Sequence, residues 1–484
     1  MKKTGTICLV ICIFLSMILP KVSATELLQE TTTELSQEAT TLPASAAYGC
    51  HSLDGCVPAM GSQKIIENME AAFLYDVGSD AVIYAWNPDA VMHPASLVKI
   101  MTALIAVEQG TLTDAITVKE HVIATVSFDA VSADLLPNEV ITLEDALYCL
   151  LVGSANDAAA VIADHVLGSQ EAFVAEMNRY AQELGCKATV FTNPHGLHDP
   201  NQVTTARDVA KILNQAIKNE TFMKFFSTPY CTVAATNLSE ERNLSSNNFL
   251  INSVDNMRIY FDTRVTGGRT GVAQNGKQCL AVSAEKDGRK LISVIMGSES
   301  IYDEENYTTI SYGAFPETSQ LLTSGFDSYK QVQVIAEGQI FRQCAVENGK
   351  NQVVIGAKEA ISSVLPVDTT AADLSYRYFD VQGALVAPIE KGAQISHVEV
   401  WHGNVCLAQA DLFAMSAVQT AAADTQSQKN DGAKTSARGV FATIGVIALC
   451  VIAAVLGIRT YGKVRLALIK RRGRKYRESH RRSR

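Results

Sequence analysis

Pro94-Ala95-Ser96-Leu97-Val98-Lys99-Ile100-Met101-Thr102-Ala103-Leu104-Ile105 reads as the opening of a helix that runs to Gly110, with Leu97, Ile100, Met101, Leu104 and Ile105 on one apolar stripe. Ser96 opens this helix. Lys99, three residues on, lies near Ser96 by helical spacing but off the stripe, so it can face either water or a cleft. A hydroxyl with an amine one turn away is a chemical pair, because an amine that takes the serine proton makes the oxygen a nucleophile. The lysine does this only if burial or neighbouring positive charge brings its pKa down.

Two further short motifs follow in order, Ser154-Ala155-Asn156 and Arg269-Thr270-Gly271. Thr142-Leu143-Glu144-Asp145 is a capping signal for a helix ending at Gly153. Ser154-Ala155-Asn156 then falls on a tight connection, where Asn156 or Asp157 can cap the Ala-rich helix that follows. Each motif alone is weak, and a solvated helix face is the default for any one of these residues. Their sequence, S-x-x-K, S-x-N and a triplet like K-T-G, resembles that of the penicillin-recognising serine enzymes. Within that group the chain is most similar to the low-molecular-mass D-alanyl-D-alanine carboxypeptidases. Asn193-Pro194-His195-Gly196-Leu197-His198-Asp199-Pro200-Asn201, followed by Thr204-Thr205-Ala206-Arg207-Asp208, resembles the segment between their second and third motifs, and Cys279 to Gly297 resembles their paired strands. The resemblance extends over about residues 60 to 414.

The resemblance implies an α/β (α+β) catalytic domain of the serine β-lactamase and DD-peptidase type, an antiparallel sheet flanked by helices. Ser96 is then the nucleophile, Lys99 its base, and Ser154 a proton relay between the lysine and the leaving amine. Asn156 holds the substrate amide, and the strand bearing Arg269, Thr270 and Gly271 lies along the substrate. The backbone N–H groups of Ser96 and Val272 form the oxyanion hole. Arg269 stands where the family has lysine; it keeps the charge and can grip a terminal carboxylate with two prongs. The implied partners are peptidoglycan stem peptides ending in D-Ala-D-Ala, with β-lactams as covalent inhibitors and no cofactor or metal. A β-lactamase is the first alternative, but no E-x-x-L-N-like segment follows Asn156. A non-catalytic penicillin or muropeptide sensor is the second. His195 and His198 lie near an aspartate without the context of a Ser-His-Asp triad and read as loop or core residues.

Around this domain the composition changes. Lys2 and Lys3 precede an apolar run from Ile7 to Leu19, and Val22-Ser23-Ala24 supplies small residues, so 1–24 reads as a signal peptide cleaved after Ala24. Residues 25–58 form a Thr/Glu-rich spacer, 59–318 the catalytic domain, and 325–414 an all-β domain whose alternation begins near Tyr329. A linker, 415–438, leads to an uncharged apolar run, Val440 to Ile458, within a transmembrane helix at 439–459. The tail, 460–484, is basic and cytoplasmic by the positive-inside rule, which puts the catalytic domain on the extracytoplasmic side of the cell membrane. The net charge of −9 conceals this basic end, so the body is strongly acidic and offers no field for nucleic acid. Outside the signal and the span, cysteines permit two bridges, Cys50–Cys56 and Cys344–Cys406.

Overall fold

The computed structural model describes residues 64–421 apart from 254, 304–307 and 381–382. The signal peptide, the N-terminal spacer, the Cys50–Cys56 pair, the distal linker, the apolar run and the basic tail lie outside the described residues. Among the described residues no helix is long and apolar enough to cross a membrane.

Ala71–Asp76 (β1) and Ala81–Trp86 (β2) form the hairpin that the Gly78-Ser79-Asp80 turn between two apolar runs predicts, with Asp80 at φ +48°. They join Val265–Val272 (β3), Gln278–Lys286 (β4) and Arg289–Ser298 (β5) in an antiparallel sheet of order β2-β1-β5-β4-β3. Successive residues point to opposite faces. Phe73, Tyr75, Ile292 and Val294 therefore enter one core, while Leu74, Leu291 and Ile295 enter another. Apolar residues on both faces are what a sheet covered on both sides requires. β3 is an edge strand, paired only with β4.

The larger core holds the helices Val98–Gln109 (α1), Leu143–Leu151 (α2), Asn156–Leu167 (α3) and Ala206–Ala216 (α4). Every residue of α1 from Val98 to Ala106 is buried, so the predicted one-sided stripe is the visible part of a helix surrounded by protein. Thr142 caps α2 as expected: its Oγ1 accepts from Asp145 N at 3.0 Å and donates to Asp145 Oδ2 at 2.7 Å. The capping position of α3 is Ala155, and Asn156 and Asp157 are buried in the first turn instead. Their side chains are thereby released for other contacts.

On the other face of the sheet lies Ala314–Asp327 (α5), which approaches closely at Gly325, where a Cβ would come within 2.8 Å of Leu74 Cδ2. α5 runs through the interval between the two predicted domains. Beyond it, Tyr329–Ile335 (β6) pairs with Ile361–Pro366 (β9). Ile340–Cys344 (β7), Val353–Ala357 (β8), Leu374–Asp380 (β10), Gln394–His402 (β11) and Val405–Ala414 (β12) make a second antiparallel sheet of order β7-β8-β12-β11-β10. The β11–β12 hairpin turns at His402-Gly403-Asn404, as its turn residues predict. Val364 of β9 sits in the core under α5, so the β domain shares packing with the catalytic domain.

The Cys344–Cys406 bridge is not made, since Cys344 is a free thiol. The sheet explains why. Cys344 pairs with Val353, at the end of the sheet where Ile355 meets Ala414, whereas Cys406 pairs with Trp401 near the opposite end of β12. Eight residues of strand separate Cys406 from Ala414, about 25 Å at roughly 3.3 Å per residue, while a disulfide needs Cα atoms within about 7 Å.

Candidate active site

Ser96 sits in a short 3₁₀ turn, Ala95–Leu97, that feeds directly into α1. Ala95, immediately before it, has φ +48°, a left-handed conformation that costs a residue with a Cβ about 1 to 3 kcal/mol. Ser154 is also left-handed, at φ +61°. Both left-handed residues lie in or beside motifs that the sequence places in one site, and their strain is held by the surrounding fold.

Lys99 is wholly buried, the cleft side of the alternative that periodicity left open. Its Nζ lies 3.1 Å from Ser96 Oγ, 2.8 Å from Asn156 Oδ1 and 2.5 Å from His195 O. The last two atoms only accept hydrogen bonds. A neutral amine has two hydrogens and one lone pair; the hydrogens go to Asn156 and His195, and the lone pair is left for the Ser96 hydroxyl. Burial, and then the positive charge of Arg269, hold the Lys99 pKa well below the ordinary lysine range, with Asp157 pulling the other way.

The His195 carbonyl is held in place by the loop that contains it. Thr102 Oγ1 of α1 donates to Pro194 O at 2.6 Å, and Asn193 Oδ1 accepts from Gly196 N at 2.7 Å. Gly196 has φ +90°, and a Cβ there would lie 2.1 Å from Ala95 O, so only glycine lets this loop lie against the turn that carries Ser96. The imidazole of His195 is buried and pushed down to about 3, first by burial and then by Lys99. It is therefore neutral and takes no part in a charged triad, in keeping with its reading as a loop or core residue.

Arg269 is 2% exposed, on β3. Its Nη1 donates to Leu151 O at 2.9 Å and its Nη2 to Ser154 Oγ, while Nε is buried without a partner. Burial brings its pKa down to about 10, which leaves it charged at neutral pH. The two-pronged grip on a carboxylate would need donors that are here turned to Leu151 and Ser154. Ser154 is thus joined to the arginine, while the lysine is joined to Ser96, Asn156 and His195.

Gly271 lets β3 close on the Ser96 turn: a Cβ there would lie 3.0 Å from Ser96 N and 3.1 Å from Ala95 Cβ. Ala273 N donates to Lys277 O across the hairpin at 2.9 Å, so by strand alternation the N–H of Val272 points to the free edge. Val272, Ala273, Pro94, Ala95, Gly196 and Leu197 line one cleft at this point. Direct contacts join Ser96, Lys99 and Asn156, set Gly271 against Ser96 and pair Arg269 with Ser154; Val272 alone of the expected site residues lines the cleft, and Thr270 lies on the same strand.

A family model described as D-alanyl-D-alanine carboxypeptidase matches residues 61–300. The chain is 31% identical over 358 residues to the D-alanyl-D-alanine carboxypeptidase DacA of Haemophilus influenzae, an alignment covering 71% of this chain and 84% of that protein. The chain belongs to the D-alanyl-D-alanine carboxypeptidase family. A second family model, for the C-terminal domain of penicillin-binding protein 5, matches residues 329–420, the β domain. Another D-alanyl-D-alanine carboxypeptidase, DacF of Bacillus subtilis, is 27% identical, with 73% of this chain and 86% of the relative covered. Among solved structures, penicillin-binding protein 5 from Haemophilus influenzae superposes with a TM-score of 0.61 at 30% identity, covering 74% of this chain and all of that one. What sequence motifs alone missed in this carboxypeptidase fold are backbone groups: the His195 carbonyl and the Gly196 contact. The only signal for them was the likeness of the 193–201 stretch to a family segment.

Proposed function

We propose that Ser96 carries a serine-type carboxypeptidase reaction on peptides ending in D-Ala-D-Ala, and that penicillins acylate the same oxygen. The observation that carries it is the lysine whose two hydrogens have fixed acceptors and whose third direction is the Ser96 hydroxyl. Lys99 takes the hydroxyl proton as Ser96 Oγ bonds to the carbonyl carbon of the penultimate D-alanine. The developing oxyanion is met by the N–H groups of Ser96 and Val272, one donor of this kind being worth about 3 kcal/mol. Ser96 also begins a helix, whose positive end favours that charge. The C–N bond then breaks, and the departing D-alanine amine receives the proton through Ser154. Water hydrolyses the ester and restores Ser96.

Substrate binding follows from the free edge of β3, where an extended peptide can add as a strand. Asn156, whose Oδ1 accepts from Lys99 and whose Nδ2 donates one hydrogen to Val131 O, offers its second Nδ2 hydrogen to the peptide backbone, and Arg269 supplies positive charge for the terminal carboxylate. The β-lactamase and sensor readings have less support, since the family is one of carboxypeptidases and the base is arranged for use. Incubating the protein with diacetyl-Lys-D-Ala-D-Ala and measuring free D-alanine tests the proposal. Slow release together with a stable penicilloyl adduct is expected. Rapid turnover of the β-lactam would favour a lactamase, and labelling without peptide turnover a sensor.

Attachment is part of the same reading. The signal-like start and the apolar run at 440–458 followed by twelve Lys or Arg from Arg459 onward argue for an extracytoplasmic enzyme on a single C-terminal span. Ending the chain at Ala437 should release an active, soluble protein, read by fractionation after signal cleavage is verified. Persistent sedimentation with membranes would point to a different anchor.

A further inference from the structure

We infer that Asp157 is a positioning residue for this reaction: through the segment 131–135 it fixes Asn156 against the lysine. Asp157 is 4% exposed, one residue after Asn156 in the first turn of α3. Its carboxylate has all of its roughly four acceptor sites filled. Oδ1 accepts from Ala133 N and Ala158 N, both at 2.9 Å, and Oδ2 from Ser132 Oγ at 2.6 Å and Leu135 N at 3.0 Å. The segment it holds returns the constraint to its neighbour: Val131 O accepts from both Asn156 N, at 2.9 Å, and Asn156 Nδ2, at 2.7 Å. With Nδ2 committed there, Asn156 Oδ1 is the end turned to Lys99.

An amide cannot replace this carboxylate in kind. Three of its four donors are backbone N–H groups, which cannot reverse, and an asparagine would set its own NH₂ against at least one of them. The segment does not depend on Asp157 alone. Arg242 Nε donates to Ala133 O at 2.7 Å from the other side, and Arg242 pairs with buried Glu139 at 2.8 Å. Losing the Asp157 charge thus leaves the segment anchored but less accurately placed.

The groups acting on Lys99 are Arg269 from β3, the neutral His195 from its loop, and Asp157 from α3. Asp157 favours the charged lysine and Arg269 the neutral one, so removing the carboxylate shifts the balance toward the free base. This inference rests on Lys99 being the base. The test measures kcat/KM for diacetyl-Lys-D-Ala-D-Ala across pH, and penicillin acylation, in wild type, Asp157→Asn, Asp157→Glu and Ser132→Ala, with thermal melts.

Asp157→Asn should lose about 10- to 100-fold in kcat/KM, the scale of a small misplacement, and its acid limb should move to lower pH. Ser132→Ala keeps the charge and three of the bonds, so its limb should stay and its loss should be only a few-fold. Asp157→Glu keeps the charge but displaces the oxygens; its rate should fall with the limb unmoved, and it carries the test if the asparagine variant does not fold. An asparagine variant with an unmoved limb, or a glutamate variant as fast as wild type, overturns the proposal. Failure of the underlying reading has a separate signature, namely Lys99→Ala acylating as fast as wild type.

Discussion

Lys99→Ala should slow acylation of Ser96 by a fluorescent penicillin about 10²- to 10⁴-fold, the usual worth of a general base, and Ser96→Ala should abolish labelling. The magnitude follows from the coordination of the amine. Asn156 Oδ1 and His195 O take its hydrogens and leave its lone pair to receive the serine proton. Alanine leaves a cavity where a buried Nζ stood, and solvent entering it is a weak, unoriented base. With Lys99 as the proposed base the active form is the neutral amine, so the acylation rate should rise with pH through the lysine's pKa and then level off. Because burial and Arg269 hold that pKa well below the ordinary lysine range, the rise should be complete far below the pH at which a free lysine deprotonates. Stopped-flow acylation across pH checks both statements. A rate still climbing in the range of an exposed lysine, or labelling of Lys99→Ala within a few-fold of wild type, removes the base assignment.

Local chemistry was legible in the sequence where it depends on neighbours along the chain. The Thr142 cap, the Gly78-Ser79-Asp80 turn and the His402-Gly403-Asn404 turn all occur as read, because each is decided within a few residues. α1 was legible as a helix, yet its burial on every side was not, since that depends on elements distant in sequence. The order of the three motifs indicated a shared site. It could not assign the partners of Lys99: the His195 carbonyl is 96 positions away and carries no side-chain signal. Asn156 and Asp157 illustrate the same limit. Local rules favour them as helix caps, but tertiary contacts use one on the lysine and the other on residues 132–135. Cys344 and Cys406 share the β domain, which permitted a bridge in the sequence, and only the strand registers show that they lie toward opposite ends of the sheet.

Arg269→Ala should cost about 10²- to 10³-fold in kcat/KM for a peptide with a free terminal carboxylate, a loss comparable to deleting a preorganised electrostatic donor. Three consequences of the substitution act together. The charge proposed to attract the carboxylate is gone; Ser154 Oγ and Leu151 O lose their donor; and Lys99 is relieved of a neighbouring cation. The last has a definite sign. Arg269 depresses the lysine pKa, so its removal should move the acid limb of the profile to higher pH, opposite to the shift expected for Asp157→Asn. Arg269→Lys restores a cation, as a point charge without the planar fork, and should remain within about tenfold of wild type with the limb near its original place. The guanidinium's Nη1 and Nη2 already serve Leu151 and Ser154, so its hold on the substrate is expected to come mainly from charge. On that account the alanine variant should lose more on the free carboxylate than on the matched amide, and added salt should do little to a cation so completely buried. Equal losses on acid and amide would leave Arg269 as a support for Ser154 alone. An unmoved acid limb would mean that its charge does not reach Lys99, and the two halves of the site would then have to be treated as electrostatically independent.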